Sequence, residues 1–406
     1  MSLGTVQVRT YPFGHADGLE LDGTYAYLRE HEPLAAVQQP FGDRAWLVTR
    51  YDDVRLVLSD ARFSRAETVV RDMPRMFAPR EVPAGILNLD PPEHTRIRRL
   101  VSGAFRAPTI ELLRARVEQA AAELLDSMVQ EGPPADLVEG LAIPLPLTMI
   151  CELMGVPYGD RENFQLWADA YLSTTDLPAE EKMARLSKLG GYIAQLVAQR
   201  RQELAGSSAP IDDLIGVLVQ AREQGSLTEE ELIVFLMLLL AAGYETISTQ
   251  LTNSVYMLLT HPEQLALLRN GQAPIPNAVE ELLRYVPTTV AAVIPRYATE
   301  DVELSGGTVR AGEAVLPSYQ AANRDPRVFD DPERFDLTRA PQPSHVAFGN
   351  GTHFCLGAQL ARIELQVALG ALLRYFPHLR LAEPDEGLRW KTGLVMRGPV
   401  ALPIAW

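Results

Sequence analysis

From Pro91 to about Glu281, apolar residues recur at helical spacing with few interruptions, and the pattern stops at GVPYGD, TTDLPAEE and LTHPEQ. The spacing predicts helices over about 91–285. A second helical stretch, LGAQLARIELQVALGALLRYF, covers about 356–376. Ahead of this region, PLAAVQQP and AWLVTR read as strands with Gly42 and Asp43 supplying the turn, and Tyr51 to Ser59 reads as a helix. After Pro287 the chain returns to strand-like patterning in VAAVIPRYA and then in VELSGGTVRAGEAVL, a hairpin signal with Gly306 and Gly307 at the turn. The expected fold is mainly α with a smaller β portion at about 30–65 and 288–320. No internal repeat or low-complexity linker divides it, so residues 1–406 are expected to form one domain.

Two segments break the regular pattern. Between about 66 and 89, prolines and scattered apolar residues (Met73, Met76, Phe77, Ile86) suit a long functional loop. The second break lies inside the longest helix, which opens at SLTEEEL with Ser226 or Thr228 as its cap and Glu229 to Glu231 in its first turn. Its first half is apolar all round, as in a helix buried in the protein. AAGYET, residues 241–246, then places a glycine, an acid and a threonine among leucines. Gly243 lowers helix propensity, and the Thr246 hydroxyl can turn to the Ala242 carbonyl and bend or open the helix, making room for a small ligand. A kinked helix with a solvated Glu245 is the plainer alternative.

Composition narrows the function. The chain is 47% hydrophobic and 22% charged with a mean hydropathy of -0.03, a globular profile, and its net charge of -15 with no basic block argues against a nucleic-acid partner. The longest apolar run, Leu232 to Ala242, is shorter than the roughly 18 residues a spanning helix needs, and no signal-peptide pattern opens the chain. A soluble, cytoplasmic protein without a membrane partner is expected. Only Cys151 and Cys355 are present, so neither a disulfide framework nor a cysteine-rich zinc site can form. Cys151, in LTMICELMGVP, reads as a small core residue.

Cys355 is different. It stands just before the last long helix, where backbone N–H groups and the helix dipole favour a thiolate, which serves either nucleophilic attack or metal ligation. A structural cysteine, or a nucleophile paired with His353, are the plainer readings. Gly349, Gly351 and Gly357 let the backbone pass close beneath a flat group, and Phe348 and Phe354 give apolar cover.

FGNGTHFCLG resembles the haem-binding loop of the cytochrome P-450 family, F-G-x-G-x-H/R-x-C-x-G, with six fixed positions filled within ten residues. AAGYET is similar to that family's A-G-x-D/E-T oxygen groove, and EELLRY carries its E-x-x-R pair at Glu281 and Arg284, with Arg334 of PERF at the place of a third partner. The resemblance covers essentially the whole chain. It implies a single triangular α-rich domain with haem b between the long helix and the cysteine-loop helix. Cys355 would then be the iron ligand, Glu245 and Thr246 would organise proton delivery, and Ala242 and Gly243 would shape the oxygen groove. His94 and Arg98 of DPPEHTRIRRLV, Arg296 and His353 would hold the propionates, with Phe348, Gly349 and Gly357 lining the cofactor.

The same resemblance implies a monomeric monooxygenase that uses O2 to hydroxylate or epoxidise a small molecule. No nicotinamide or flavin module fits this length, so electrons are expected from a separate ferredoxin and ferredoxin reductase, with Arg96, Arg99, Arg106 and Arg362 as a docking face. By position, the substrate pocket would include Met76, Phe77, Leu87, Leu238, Val290, Val293, Val395 and Met396. Nearly all are apolar, although each has plain core packing as an alternative. They point to a bulky apolar substrate and, by analogy with soluble bacterial members, to antibiotic tailoring of polyketides, macrolides or peptides. Desaturation, oxidative coupling and a non-catalytic haem sensor remain alternatives.

Overall fold

The structure is a computed structural model that describes residues 7–14, 17–76, 85–160, 167, 178–205, 213–340, 344–392 and 395–406. The described strands are β1 (Arg9–Thr10), β2 (Leu34–Gln38), β3 (Ala45–Val48), β4 (Phe63–Ser64), β5 (Ala135–Asp136), β6 (Arg296–Ala298), β7 (Val302–Leu304), β8 (Gly307–Val309), β9 (Ala314–Pro317), β10 (Arg380–Leu381) and β11 (Pro403–Ala405). The chain falls into two compact units, Met1–Pro92 with Ala266–Leu356, and Glu93–Leu265 with Gly357–Trp406.

The first unit is built on a six-stranded mixed sheet in the order β1-β2-β3-β9-β6-β4, with β2 antiparallel to β3 and β3 parallel to β9. Both faces of this sheet are buried. Leu34, Ala36, Trp46, Val48 and Val315 enter one apolar cluster, while Ala35, Val37, Ala45, Leu47, Ala314 and Leu316 enter another. That is why PLAAVQQP and AWLVTR show apolar runs rather than alternation. The expected hairpin is present as β7 and β8, paired from Val302↔Val309 to Leu304↔Gly307.

The expected strand over VAAVIPRYA is shorter than its pattern, since only Arg296–Ala298 pairs in the sheet. Side chains satisfy the backbone before it instead. The Ala292 N–H donates to the Tyr11 hydroxyl at 2.6 Å, Gln39 donates to the Ala292 carbonyl at 3.0 Å, and Arg65 donates to the Pro295 carbonyl. In the 66–89 segment, Glu67–Val70 is helical and Ile86–Asn88 is a 3-10 turn; Phe77 lies outside the described residues.

The second unit is helical around Glu229–Thr260, an unbroken α-helix of 32 residues packed against Pro144–Met154, Ala179–Ala205 and Ala358–Tyr375. Thr228 caps it in a reciprocal box, its hydroxyl accepting from the Glu231 N–H at 3.1 Å while Glu231 accepts from the Thr228 N–H at 2.9 Å. The window through its apolar half is long and apolar enough to cross a membrane, but 61% of that window is buried in the protein. A small sheet of order β10-β11-β5 also belongs to this unit, and its two- and three-residue strands leave no readable pattern. Cys151 is buried on Pro144–Met154, as expected of a core residue.

Candidate active site

Within the first unit, the cysteine loop is held from behind by a buried ion pair. Arg284 donates to both oxygens of Glu281 at 2.7 and 2.9 Å, and its remaining N–H groups reach the carbonyls of Asn323 and Pro332 at 2.8 and 2.9 Å. With both side chains only 2% exposed, such a pair persists only because every donor has an acceptor. The third partner is a correction to the sequence reading. Arg334 is 64% exposed and offers only its carbonyl to Arg284, whereas Arg339 places its guanidinium 3.2 Å from Glu281. Asn323, tethered through its carbonyl by Arg284, accepts the Val346 N–H on its side-chain oxygen at 2.8 Å and so fixes the start of the loop.

The loop itself is shaped by two glycines in the left-handed region, Gly349 at φ 74° and Gly351 at φ 72°. At Gly351 the constraint is double, because a Cβ would lie 2.6 Å from Ser59 Cα on the supporting Tyr51–Ser59 helix. The turn closes when the Cys355 N–H donates to the Phe348 carbonyl at 2.9 Å. Phe348 and Phe354 meet edge to face at 6.4 Å, and the Cys355 thiol is exposed. Gly357 adopts φ -84°, so its glycine is not a torsional requirement; a Cβ there would meet no atom within 4 Å, leaving open space beside the loop. His353 ends the 3-10 turn Gly351–His353 and is half-buried.

Arg296, assigned from sequence, is 4% exposed and donates to the Phe63 carbonyl at 3.1 Å; its Nε has no partner among the described residues. Sequence reasoning missed its neighbour Arg65. This residue is also buried and donates to the carbonyls of Leu87 and Pro295, and burial together with Arg296 pushes its guanidinium down to about 10. Burial lowers Arg296 as well. Among the described residues, the one carboxylate acting on both arginines is Asp90, which is already bonded to the Arg65 N–H and Ser64. Two buried guanidiniums against one carboxylate suit a further anion. Only contact in three dimensions identifies Arg65, since RFSR has no distinguishing pattern.

In the second unit, His94 is 1% exposed on the Glu93–Val101 helix, and Arg98 is half-buried one turn later. Arg96, offered above as a docking charge, instead pairs with Glu231 and donates to the Ser226 carbonyl, so it serves the long helix.

Around AAGYET, Ala242 and Thr246 are exposed although Ala241, Tyr244 and Glu245 beside them are buried. The Thr246 hydroxyl donates to the Ala242 carbonyl at 2.8 Å, as the sequence suggested, but the helix stays α-helical throughout. A Cβ at Gly243 would lie 2.8 Å from Ile150, so the glycine admits a neighbouring helix. Glu245 is not solvated; it is 4% exposed and accepts from Lys391 Nζ at 2.9 Å.

Of the pocket residues, Met76, Val290 and Val293 pack against the core of the first unit, and Leu87 is 43% exposed. Leu238 and Met396 are buried and Val395 is half-buried in the second unit.

These features fit haem. Among the described residues no three His, Cys, Asp or Glu side chains gather as a metal site, so Cys355 suits an ion whose other ligands come from a macrocycle. The surplus of buried guanidinium suits that macrocycle's carboxylates.

A model of the cytochrome P-450 family matches residues 38–272 and 275–400. The mycinamicin IV hydroxylase/epoxidase of Micromonospora griseorubida is 49% identical over 403 residues, covering 99% of this chain and all of that protein. The nocardicin C N-oxygenase of Nocardia uniformis is 47% identical and covers 98% of each. The crystal structure of the LnmA hydroxylase of the leinamycin pathway of Streptomyces atroolivaceus superposes with a TM-score of 0.90 at 53% identity, over 98% of this chain and all of the other. The chain belongs to the cytochrome P-450 family and is a haem-dependent monooxygenase.

Proposed function

We propose that the protein hydroxylates or epoxidises a bulky, mostly apolar small molecule of the macrolide, polyketide or peptide class in antibiotic biosynthesis. The observation that carries the reading is the exposure of Ala242 and Thr246 among the buried Ala241, Tyr244, Glu245 and Ser248 of the long helix, so that a buried carboxylate is the next neighbour of the pair. A core helix gains nothing by opening two small side chains unless a ligand occupies the space beside them.

Haem held by a thiolate would supply dioxygen activation at this site. Cys355 would be the residue for that ligation, displayed by Gly349 and Gly351 on a loop where Phe348 and Phe354 pack together. Arg296 and Arg65, with His94, Arg98 and His353, are assigned to the cofactor's carboxylates. Thr246 Oγ1 holds a hydroxyl proton at the open face, and Glu245 can replace it from the buried side.

Leu238, Val290, Val293, Val395 and Met396, with Met76, Phe77 and Leu87, are proposed to line the pocket. The whole chain is taken as one functional domain, which a single family model spanning both units supports; it is proposed to be monomeric, cytoplasmic and served by a ferredoxin and its reductase.

Relatives are named for reactions that range from hydroxylation and epoxidation to N-oxygenation, so product mass is the test. The purified protein, supplied with a surrogate ferredoxin, its reductase and a panel of macrolides, should shift the haem spin state with a binder and yield product heavier by one oxygen atom. Loss of two hydrogens would replace oxygenation by desaturation or coupling. Spin shift by small polar compounds alone would overturn the substrate class.

A further inference from the structure

The long helix presents a stripe of residues to one short segment near the C-terminus. Glu245, Thr249 and Asn253 follow at intervals of four, with Tyr256 three residues on, and all of them meet the described arms of a hairpin, residues 389–392 and 395–400. Trp390 bridges Pro399, the Lys391 N–H donates to the Gly398 carbonyl at 2.9 Å, and the Val400 N–H donates to the Arg389 carbonyl at 2.7 Å. Asn253 donates to the Arg397 carbonyl at 2.7 Å, and a Cβ on Gly398 would lie 2.6 Å from the Asn253 side-chain oxygen. Tyr256 and Trp390 pack edge to face at 5.3 Å. The hairpin is therefore fixed in register on the helix.

What this register delivers is the Lys391 ammonium, which donates to Glu245 Oε1 at 2.9 Å and to Thr249 Oγ1 at 3.5 Å. Thr249 donates to the same carboxylate oxygen at 3.4 Å. Lys391 is the one cation bonded to Glu245 among the described residues. A carboxyl group 4% exposed needs such partners, since burying it without them is costly. The lysine side chain is 18% exposed, so it keeps contact with water while its head reaches the buried acid.

We infer that Lys391 is a positioning residue for oxygenation: with Thr249 it fixes the Glu245 carboxyl, one residue before Thr246, through a hairpin clamped to the helix at Asn253 and Tyr256. This rests on the reading of Glu245 as a proton-delivery group.

The test uses the haem-loaded, full-length protein with Lys391→Met, Lys391→Gln, Lys391→Arg and Glu245→Gln. Product and hydrogen peroxide are measured per NADPH consumed, and the carboxyl infrared bands are recorded in the resting enzyme without turnover. Losing the group that orients a functional side chain should lower product per NADPH by about 10-fold, with the electrons recovered as peroxide, in both Lys391→Met and Lys391→Gln. Lys391→Arg should restore most of it. The carboxyl band that Glu245→Gln removes should shift in Lys391→Met, where its 2.9 Å partner is lost, and return towards its place in Lys391→Arg.

If the Met and Gln variants keep wild-type peroxide yield and bands while Glu245→Gln raises peroxide, the inference about Lys391 is overturned and the role of Glu245 stands. A lower melting temperature with unchanged coupling overturns it equally, since that is what a merely structural lysine would give. Unchanged coupling in Glu245→Gln overturns the underlying reading of Glu245 together with the inference.

Discussion

The cysteine loop and the AAGYET turn of the long helix both present a small reactive group, but by opposite means. The loop is governed by backbone: two glycines at positive φ, a carbonyl–amide closure from Phe348 to Cys355, and a buried ion pair that anchors the preceding coil. The helix turn has ordinary backbone throughout, and its chemistry is placed by side chains: Thr246 on Ala242, and Glu245 on Lys391 and Thr249. A group that must not move is best set by covalent geometry and sterics. A group that exchanges protons is better set by bonds that can be remade.

The comparison breaks most completely at the sulfur. Cys355→Ala should fold, because an exposed thiol contributes little packing, yet lose the thiolate-type spectrum and fall to background turnover. On the helix side, Thr246→Ala should keep the spectrum and cofactor content while product per NADPH drops by roughly 10–100-fold with peroxide in its place. Unchanged coupling would remove the hydroxyl from proton delivery.

A smaller effect tests whether the loop is backbone-governed. Gly351→Ala should cost about 2–4 kcal/mol, from a left-handed φ together with a Cβ pressed on Ser59, and should reduce cofactor retention. Wild-type melting and retention in that variant would mean that the loop adapts freely.

The smallest effect concerns Glu364, on the helix that follows the loop. Burial alone pushes its carboxyl up to about 8, and its Oε2 has no partner among the described residues. The folded protein thus keeps a proton that the unfolded chain releases near 4.5, so this group's contribution to stability is present at low pH and is lost as pH rises towards 8. Glu364→Gln should therefore raise the melting temperature by a few degrees near pH 8 and change it little near pH 5, about the range that a change of 1 kcal/mol or so produces. Equal shifts at both values would show that the carboxyl is not neutral in the folded protein.

How much of this was legible follows from how local each constraint is. The loop could be read because its glycines, aromatics and cysteine lie within ten residues, and the helix because Thr228 caps it and leucines fill it. Lys391 could not be read, since it meets Glu245 across 146 positions from a hairpin with little apolar pattern. Arg65 reaches Pro295 across 230. The exchange of Arg334 for Arg339 has a similar cause: both lie in one coil, and only the packed backbone decides which guanidinium turns inward. Gly243 was legible as unusual, but its reason, Ile150 pressed against it, comes from another helix.

The most direct test of the central claim is the carbon monoxide difference spectrum of the purified, dithionite-reduced wild-type protein. A strongly red-shifted Soret band that disappears in Cys355→Ala is the predicted result. A band at the shorter wavelength of histidine-ligated haem, or one that survives in Cys355→Ala, would contradict the assignment of Cys355 as the iron ligand.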